Sequence, residues 1–329
     1  MPYEKSKNNK EAQGFLKWMR RSPSTGAAVA FVLVLIVMTI FGKGVFFSTN
    51  NIINILRQGA VLSVVAIGQT FVIVSGGIDL SVAPMVSLST VAVSACIVNY
   101  EMNQAVACLI AVAICALLGC LNGALITFVK IPPIIATLAT SMAFQGLCLL
   151  YSEGYGINLP QGHPLTEVLG RGKIAGFPLS GVLMIVIYLI FFVVLRYTKM
   201  GRVTYGIGGN AEAVRLSGIS LNKYSIYIYT ISGFTAGVAG ILLTGRLNCG
   251  HPYNGEAMDL NSIAAVVLGG SSVSGGIGSI WGTLIGVFIL TMIENGLNMM
   301  NMNPYLQQMV KGLIIVIAVG FGSLRERKK

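Results

Sequence analysis

Charge is what this sequence has least of. Only 10% of its 329 residues are Asp, Glu, Lys or Arg, and eleven of these are acidic. A soluble domain spends about a quarter of its residues on charge, so a chain that is 54% hydrophobic cannot cover a water-facing surface with so few. It reads as a polytopic membrane protein. Histidine is nearly absent: His163 and His251 lie in different loops and give a zinc hydrolase, or any metal centre, nothing to stand on. The six cysteines (Cys96, Cys108, Cys115, Cys120, Cys148, Cys249) contain no Cys-x-x-Cys pair. Five fall in or at the ends of apolar runs, where a thiol acts as a small hydrophobe, so neither a disulfide nor a metal site is expected. No Gly-x-x-x-x-Gly-Lys-Ser/Thr loop is present to cradle nucleotide phosphates. Gly206-x-Gly208-x-x-Ala211 matches a dinucleotide fingerprint but has no preceding strand, no βαβ context and no acidic residue about 20 positions on. The expectation is a chain with no catalytic residue and no cofactor of its own; if ATP drives it, another subunit binds the ATP.

What is present is a series of long apolar runs separated by basic loops. The net charge of +11 comes from residues clustered in a few loops and at the ends, which speaks for membrane topology and against nucleic acid. Apolar stretches and Gly, Pro and charged breaks give about ten spans: Gly26 to Gly42, Gly59 to Ser75, Leu80 to Val98, Gln104 to Val129, Pro133 to Tyr151, Phe177 to Leu195, Tyr224 to Leu243, Ile263 to Leu268, Ile277 to Leu297 and Tyr305 to Phe321. The eighth is too short to span alone and runs into Gly269, Gly270, Gly275, Gly276 and Gly278, so a broken or re-entrant segment fits it as well. The first run is longer than a signal-peptide core and is followed by Lys43-Gly44-Val45-Phe46-Phe47 rather than a small-residue cleavage site, which makes it an uncleaved span. With ten crossings, sixteen basic residues fall on the side of both termini and five on the other, with Lys311 in the last span. The positive-inside rule then puts both termini in the cytoplasm. The domain plan is a basic N-terminus at 1–22, one all-α transmembrane domain at 23–322 with a cytoplasmic loop at 196–223, and a basic tail at 323–329.

That loop holds a polar island, Gly208-Gly-Asn-Ala-Glu-Ala-Val-Arg-Leu-Ser-Gly-Ile219. Asn210 suits an N-cap, Glu212 suits the positive end of a helix dipole, and Gly218 suits the left-handed residue that ends the last turn. A helix roughly 10 Å long is predicted, too short to hold itself in water. It needs a docking surface, either the bilayer or another protein.

Asp79, in Ser75-Gly76-Gly77-Ile78-Asp79-Leu80-Ser81, stands at the junction of two spans, where it either lines a pathway or caps the helix from Leu80. Glu294 and Lys311 can pair across the last two spans. Val72-Ile73-Val74-Ser75-Gly76-Gly77 is echoed faintly by Val266-Val267-Leu268-Gly269-Gly270, and paired Gly-interrupted segments of this kind point to a transporter pathway. Gly119 with Gly123, Gly233 with Gly237, and Gly278 with Gly282 and Gly286 stripe single helix faces for close packing.

These stretches resemble the membrane subunits of ABC importers for ribose, xylose, galactosides and related sugars. The resemblance is carried by Ala66-Ile-Gly-Gln-Thr70 leading to Gly76-Gly-Ile-Asp-Leu-Ser81, by Ile131-Pro-Pro-Ile-Ile-Ala-Thr-Leu138, by Gly206 to Ala213 and Arg215 to Ile219, and by Ala264 to Gly270 with Gly275-Gly276. The motifs keep their order from about Asn51 to Val319; Ala83 stands where the family commonly has Gly. The resemblance implies a bacterial inner-membrane permease, not an enzyme, that passes a monosaccharide. Its expected partners are a second copy of itself or a paralogous permease, an ATPase subunit holding ATP and magnesium, an extracytoplasmic sugar-binding protein and membrane lipid. It assigns ATPase coupling to Gly209, Asn210, Glu212, Ala213, Val214, Arg215, Leu216, Ser217 and Gly218, and pathway or gating roles to Gln69, Gly76, Gly77, Asp79, Ser81, Gly269 and Gly270. Two alternatives stay open: a secondary transporter or channel working alone, and an ABC permease for a nucleoside, autoinducer or branched-chain amino acid.

Overall fold

The computed structural model describes residues 23–41, 44–313 and 316. The basic N-terminus at 1–22, the tail at 323–329 and residues 314, 315 and 317–321 of the last expected span lie outside them. Among the described residues the chain is almost wholly helical: α1 (Pro23–Phe41), α2 (Thr49–Val74), α3 (Val82–Val98), α4 (Gln104–Ala124, continued by a π-helical turn Leu125–Val129), α5 (Pro133–Ser152), α6 (Leu179–Tyr197), α7 (Lys199–Leu216), α8 (Leu221–Leu247), α9 (Met258–Leu268) and α10 (Ile280–Met299), with a last helical run at 304–313. Strands are confined to two-residue pairs: β1 (Ile157–Asn158) with β4 (Cys249–Gly250), and β2 (Lys173–Ile174) with β3 (Phe177–Pro178), both antiparallel.

Among the described residues six helices are long and apolar enough to cross a membrane: Thr49–Val74, Gln104–Val129, Pro133–Ser152, Leu179–Tyr197, Leu221–Leu247 and Ile280–Met299. The shorter apolar helices Gly26–Ile40, Val82–Val98 and Met258–Leu268 fall where the first, third and eighth spans were expected. Local capping sets the limits. Ser48 accepts from the Asn51 amide to start α2, Asn103 from Ala105 to start α4, and Ser279 from Gly282 to start α10. Pro133 opens α5, where its missing N–H costs nothing. The span expected over Tyr224 to Leu243 is longer at both ends, because Ser220 caps the Lys223 amide and the helix continues until Asn248 turns left-handed at φ 57°.

The centre of the bundle is α8, packed against α4, α2 and α3. Lipid tails are as apolar as leucine, so helices in a membrane associate through close backbone approach rather than by escaping water. The glycine stripes supply that approach. A Cβ on Gly119 would stand 2.2 Å from the Tyr229 carbonyl, one on Gly233 2.1 Å from the Cys115 carbonyl, and one on Gly123 2.6 Å from the Ile226 Cα. The two Gly-x-x-x-Gly faces of α4 and α8 therefore meet each other within one chain. On the other flank Gly282 and Gly286 of α10 let the Gly269 and Ala265 carbonyls of α9 approach. Buried polar side chains add specific ties. Asn51 of α2 and Asn295 of α10 exchange amide hydrogen bonds of 2.9 and 2.8 Å, and Thr70 meets Thr283 at 2.9 Å.

Gly→Ala in an exposed helix gains up to about 1 kcal/mol in propensity, whereas at the α4–α8 seam the added methyl must displace backbone. Gly119→Ala is expected to lower the melting temperature of the purified protein clearly, and Gly146→Ala, whose new methyl meets nothing within 4 Å, to leave it unchanged or raise it slightly. Equal melting temperatures for the two variants would remove the seam as the packing determinant.

Candidate functional site

The segment 199–216 is two helices rather than one. Asn210 leaves helical geometry at φ −160° and ψ 92°, dividing a first part, in which Gly201, Val203 and Thr204 are buried, from a short second part that stands exposed. The sequence reading anticipated only the second. The first forms because Gly201 lets the chain reverse against the Leu195 carbonyl, where a Cβ would come within 1.9 Å. The Asn210 side chain accepts from the Ala213 amide at 2.9 Å, which makes it the N-cap of the second part. Gly218 at φ 76° closes that helix, with its amide bonded to the Arg215 carbonyl and the Ile219 amide to the Val214 carbonyl. Glu212 and Arg215 pair with each other through two hydrogen bonds, one of them 2.9 Å. The guanidinium holds the Glu212 carboxyl below the usual carboxylate range. Gly209, Ala213, Ser217 and Gly218 are exposed, Leu216 is 75% exposed, and Val214 alone tucks back, against Gly206.

Behind this helix three backbones converge. The helix α2 ends in a Schellman turn: Gly76 at φ 85° bonds its amide to the Ile73 carbonyl and Gly77 bonds to Val72. The helix α9 ends the same way, with Gly270 at φ 92° bonded to Val267 and Ser271 to Val266. The faint sequence echo between the two segments is thus one turn used twice. Gly208 lies against the first turn and against Gly275 and Gly276 of the loop leaving the second. A Cβ on Gly208 would stand 1.9 Å from the Val74 carbonyl and 2.4 Å from the Gly276 nitrogen. The Gly276 amide donates to the Val74 carbonyl at 2.8 Å, and the Tyr205 hydroxyl to the Gly278 carbonyl at 2.8 Å. Gly206 and Gly208, whose spacing mimicked a nucleotide fingerprint, serve packing instead.

Asp79 is buried completely beside this junction. One carboxylate oxygen accepts from the Ser81 amide (2.9 Å) and hydroxyl (2.6 Å), and the other from Ser232 of α8 (2.7 Å). Ser81 in turn accepts from Asn122 of α4 at 2.7 Å. The carboxylate therefore restrains the start of α3 and also ties the α2–α3 elbow to α8 and α4. Gln69 is fully buried on α2 with neither amide atom hydrogen-bonded within the described residues. Gly77 leaves room for the Tyr229 hydroxyl, and Gly269 for the Gly282 backbone. Glu294 and Lys311 do pair, at 3.0 Å, and both are partly exposed. The cysteines are all free, and no cluster of metal-ligating side chains occurs among the described residues. Sequence reasoning missed the Asn51–Asn295 exchange and the part played by Gly208; the run of glycine pairs was the available signal for the second.

Comparison with known proteins follows this geometry. The family described as "Branched-chain amino acid transport system / permease component" matches residues 51–319. The ribose import permease protein of Bacillus subtilis (strain 168) is 43% identical over 91% of each chain. That of Escherichia coli (strain K12) is 39% identical over 92% of this chain and 93% of its own. The xylose transport system permease protein of the same E. coli strain is 30% identical over 91% of each. No solved structure matches the chain.

Removing the Asp79 carboxylate leaves two buried hydroxyls and an amide without their acceptor, at about 1–3 kcal/mol for each unsatisfied group. Asp79→Ala is expected to cost several degrees of melting temperature, and Asp79→Asn, which keeps one acceptor oxygen and the volume, distinctly less. Thermal unfolding in detergent checks the order, and an unaffected Asp79→Ala protein would show that these bonds do not hold the elbow.

Proposed function

The chain belongs to the family of branched-chain amino acid transport system permease components, and from that membership we propose that it forms the membrane pathway of an ATP-driven importer for a monosaccharide, ribose or a close relative. As an ABC transporter permease component it is not itself an enzyme. The observation that carries the sugar reading is the similarity over nine-tenths of the chain to permeases named for ribose and xylose. The family description names branched-chain amino acids, so those remain the second substrate class to be tested.

In this reading both termini and the loop at 196–223 face the cytoplasm of a bacterium, which the distribution of basic residues supports. Two permease copies, or this chain and a paralogue, enclose the pathway; an ATPase pair docks below and a sugar-binding protein above. The exposed helix after Asn210 engages the ATPase through Glu212, Arg215 and Leu216, with Gly209, Ala213, Ser217 and Gly218 keeping its approach low. ATP binding and hydrolysis favour different permease conformations only if the docked helix makes different contacts in each. Gly208 delivers the displacement to the ends of α2 and α9, so Gln69, Gly76, Gly77, Asp79, Ser81, Gly269 and Gly270 work as gate and hinge residues rather than as solute contacts.

The first experiment is co-purification of the tagged chain with candidate ATPase and binding-protein partners, followed by ATPase activity in nanodiscs with D-ribose, D-xylose or L-leucine. Sugar-dependent stimulation that requires the binding protein supports the importer. Transport by the purified chain alone, without an ATPase, would return the reading to a secondary transporter. Within the complex, Glu212→Lys is expected to abolish uptake at normal expression, and unchanged uptake would sink the docking assignment. Gly208→Ala is expected to uncouple ATP hydrolysis from uptake, while Gly209→Ala, whose methyl meets nothing within 4 Å, transports normally; equal behaviour of these neighbours would remove Gly208 from the coupling route.

A further inference from the structure

The chain that enters α9 is not helical. After α8 ends, residues 249–257 turn back along α3 without helical structure. A Cβ on Gly250 would meet the Thr90 carbonyl at 2.2 Å, and one on Gly255 the Ala83 carbonyl at 2.1 Å. From Thr90 back to Ala83 the segment follows α3 for about 10 Å, down to its first turn. Hydrogen bonds hold it there. His251 and Thr90 exchange a pair at 3.3 Å, the Ser87 hydroxyl oxygen accepts from the Gly255 amide at 2.8 Å, and Gln145 of α5 donates to the Pro252 carbonyl at 3.0 Å. Irregular backbone at membrane depth survives where it is buried in protein or lines a cavity, and broken segments of this kind form the solute sites of many transporters.

A cavity does lie beside it. The space between α3, α5 and this segment has a volume of about 530 Å³, within the range of small-molecule sites. Its polar lining is Ser87, Ser141, Gln145, Tyr253, Glu256 and Asp259, and none of its lining residues is basic. Two carboxylates accept hydroxyl protons. Ser87, whose oxygen already accepts from Gly255, has its own proton left to donate, and Gln145 keeps its amide oxygen and a second N–H. Tyr253 adds a ring on which the C–H face of a sugar can rest. This set suits a neutral polyol and repels an anion such as a sugar phosphate.

We propose that this cavity is the solute-binding station of the permease, in which Glu256, Asp259 and Gln145 hydrogen-bond the hydroxyl groups of a neutral monosaccharide during passage. The proposal rests on the importer reading above and adds the residues that would meet the sugar.

Gly146 supplies the test, because it borders the cavity and a Cβ built there meets nothing within 4 Å. In the full complex in proteoliposomes, with D-ribose as probe, Gly146→Phe is expected to cut uptake at least about tenfold while stimulation of ATPase activity by the loaded binding protein persists. Glu256→Gln and Asp259→Asn, which keep volume, are expected to lower uptake about tenfold each with the same stimulation retained. Uptake at the wild-type rate in Gly146→Phe, or in both isosteric variants, overturns the proposal. Loss of ATPase stimulation along with uptake in the isosteric variants also overturns it, because these groups then serve coupling. A wild-type complex that imports no sugar but imports L-leucine defeats the monosaccharide reading itself, a result distinct from any variant outcome.

Discussion

Three backbones meet at Gly76, Gly208 and Gly275–Gly276, where neither Gly208 nor Gly275 leaves room for a side chain, and the arrangement of this end of the molecule depends on that meeting. Contacts between side chains can yield by changing rotamers. A carbonyl 1.9 Å from where a Cβ would stand cannot, and the hydrogen bond from Gly276 to the Val74 carbonyl fixes the same point in direction as well as distance. The first part of α7 is therefore seated against the end of α2 and against the loop at Gly275–Gly276 that follows α9. The second part, beyond Asn210, is held by its own cap and its own Schellman turn and touches the bundle chiefly through Val214 and Gly206.

The same economy holds through the interior. In lipid, apolar burial does not select one helix arrangement over another, so the selection falls to close approach and to polar ties. Gly68 brings Ser232 and Thr235 of α8 against α2. Ser232 then reaches Asp79, and Asp79 reaches Ser81 and, through it, Asn122. A methyl at Gly68 would push α2 away from Ser232, and loss of the Asp79 carboxylate would release the same Ser232 from the start of α3, so a small residue and a charged one converge on one position of α8.

What could be read from the sequence was what is local. The spans follow from runs of apolar residues, and the ends of the exposed helix follow from Asn210 and Gly218, because a cap is settled within four residues. Asp79 accepts a bond from the Ser81 amide that is local in the same way, two residues along the chain. Its bond to Ser232 spans 153 positions and left no mark that periodicity could detect. The Asn51–Asn295 exchange is hidden for the same reason. The stretch from Cys249 to Ala257, with Pro252, Asn254 and Gly255, has the composition of an ordinary surface loop, and only the contacts of Gly250 and Gly255 with α3 show it running inside the bundle. Gly206 and Gly208 carried a signal whose meaning was decided by a partner segment elsewhere in the chain.

The helix α9 joins the two places where the chain departs from regular structure. It is entered through the unwound segment that lines the cavity and left through the Gly269–Gly270 turn that leads to the glycine junction. At eleven residues it is a rod of about 16 Å. Both of its ends are left-handed turns: Ala257 at φ 62° and Gly270 at φ 92°. Its flank against α10 is close-packed, because Gly282 and Gly286 put backbone rather than side chains at the contact. A rod this short shifts as one body more readily than it bends. In the proposed importer, displacement of Gly275 and Gly276 by α7 would then reach Glu256 and Asp259 without passing through the packed seam of α4 and α8, so the seam that holds the bundle and the proposed moving rod would be separate.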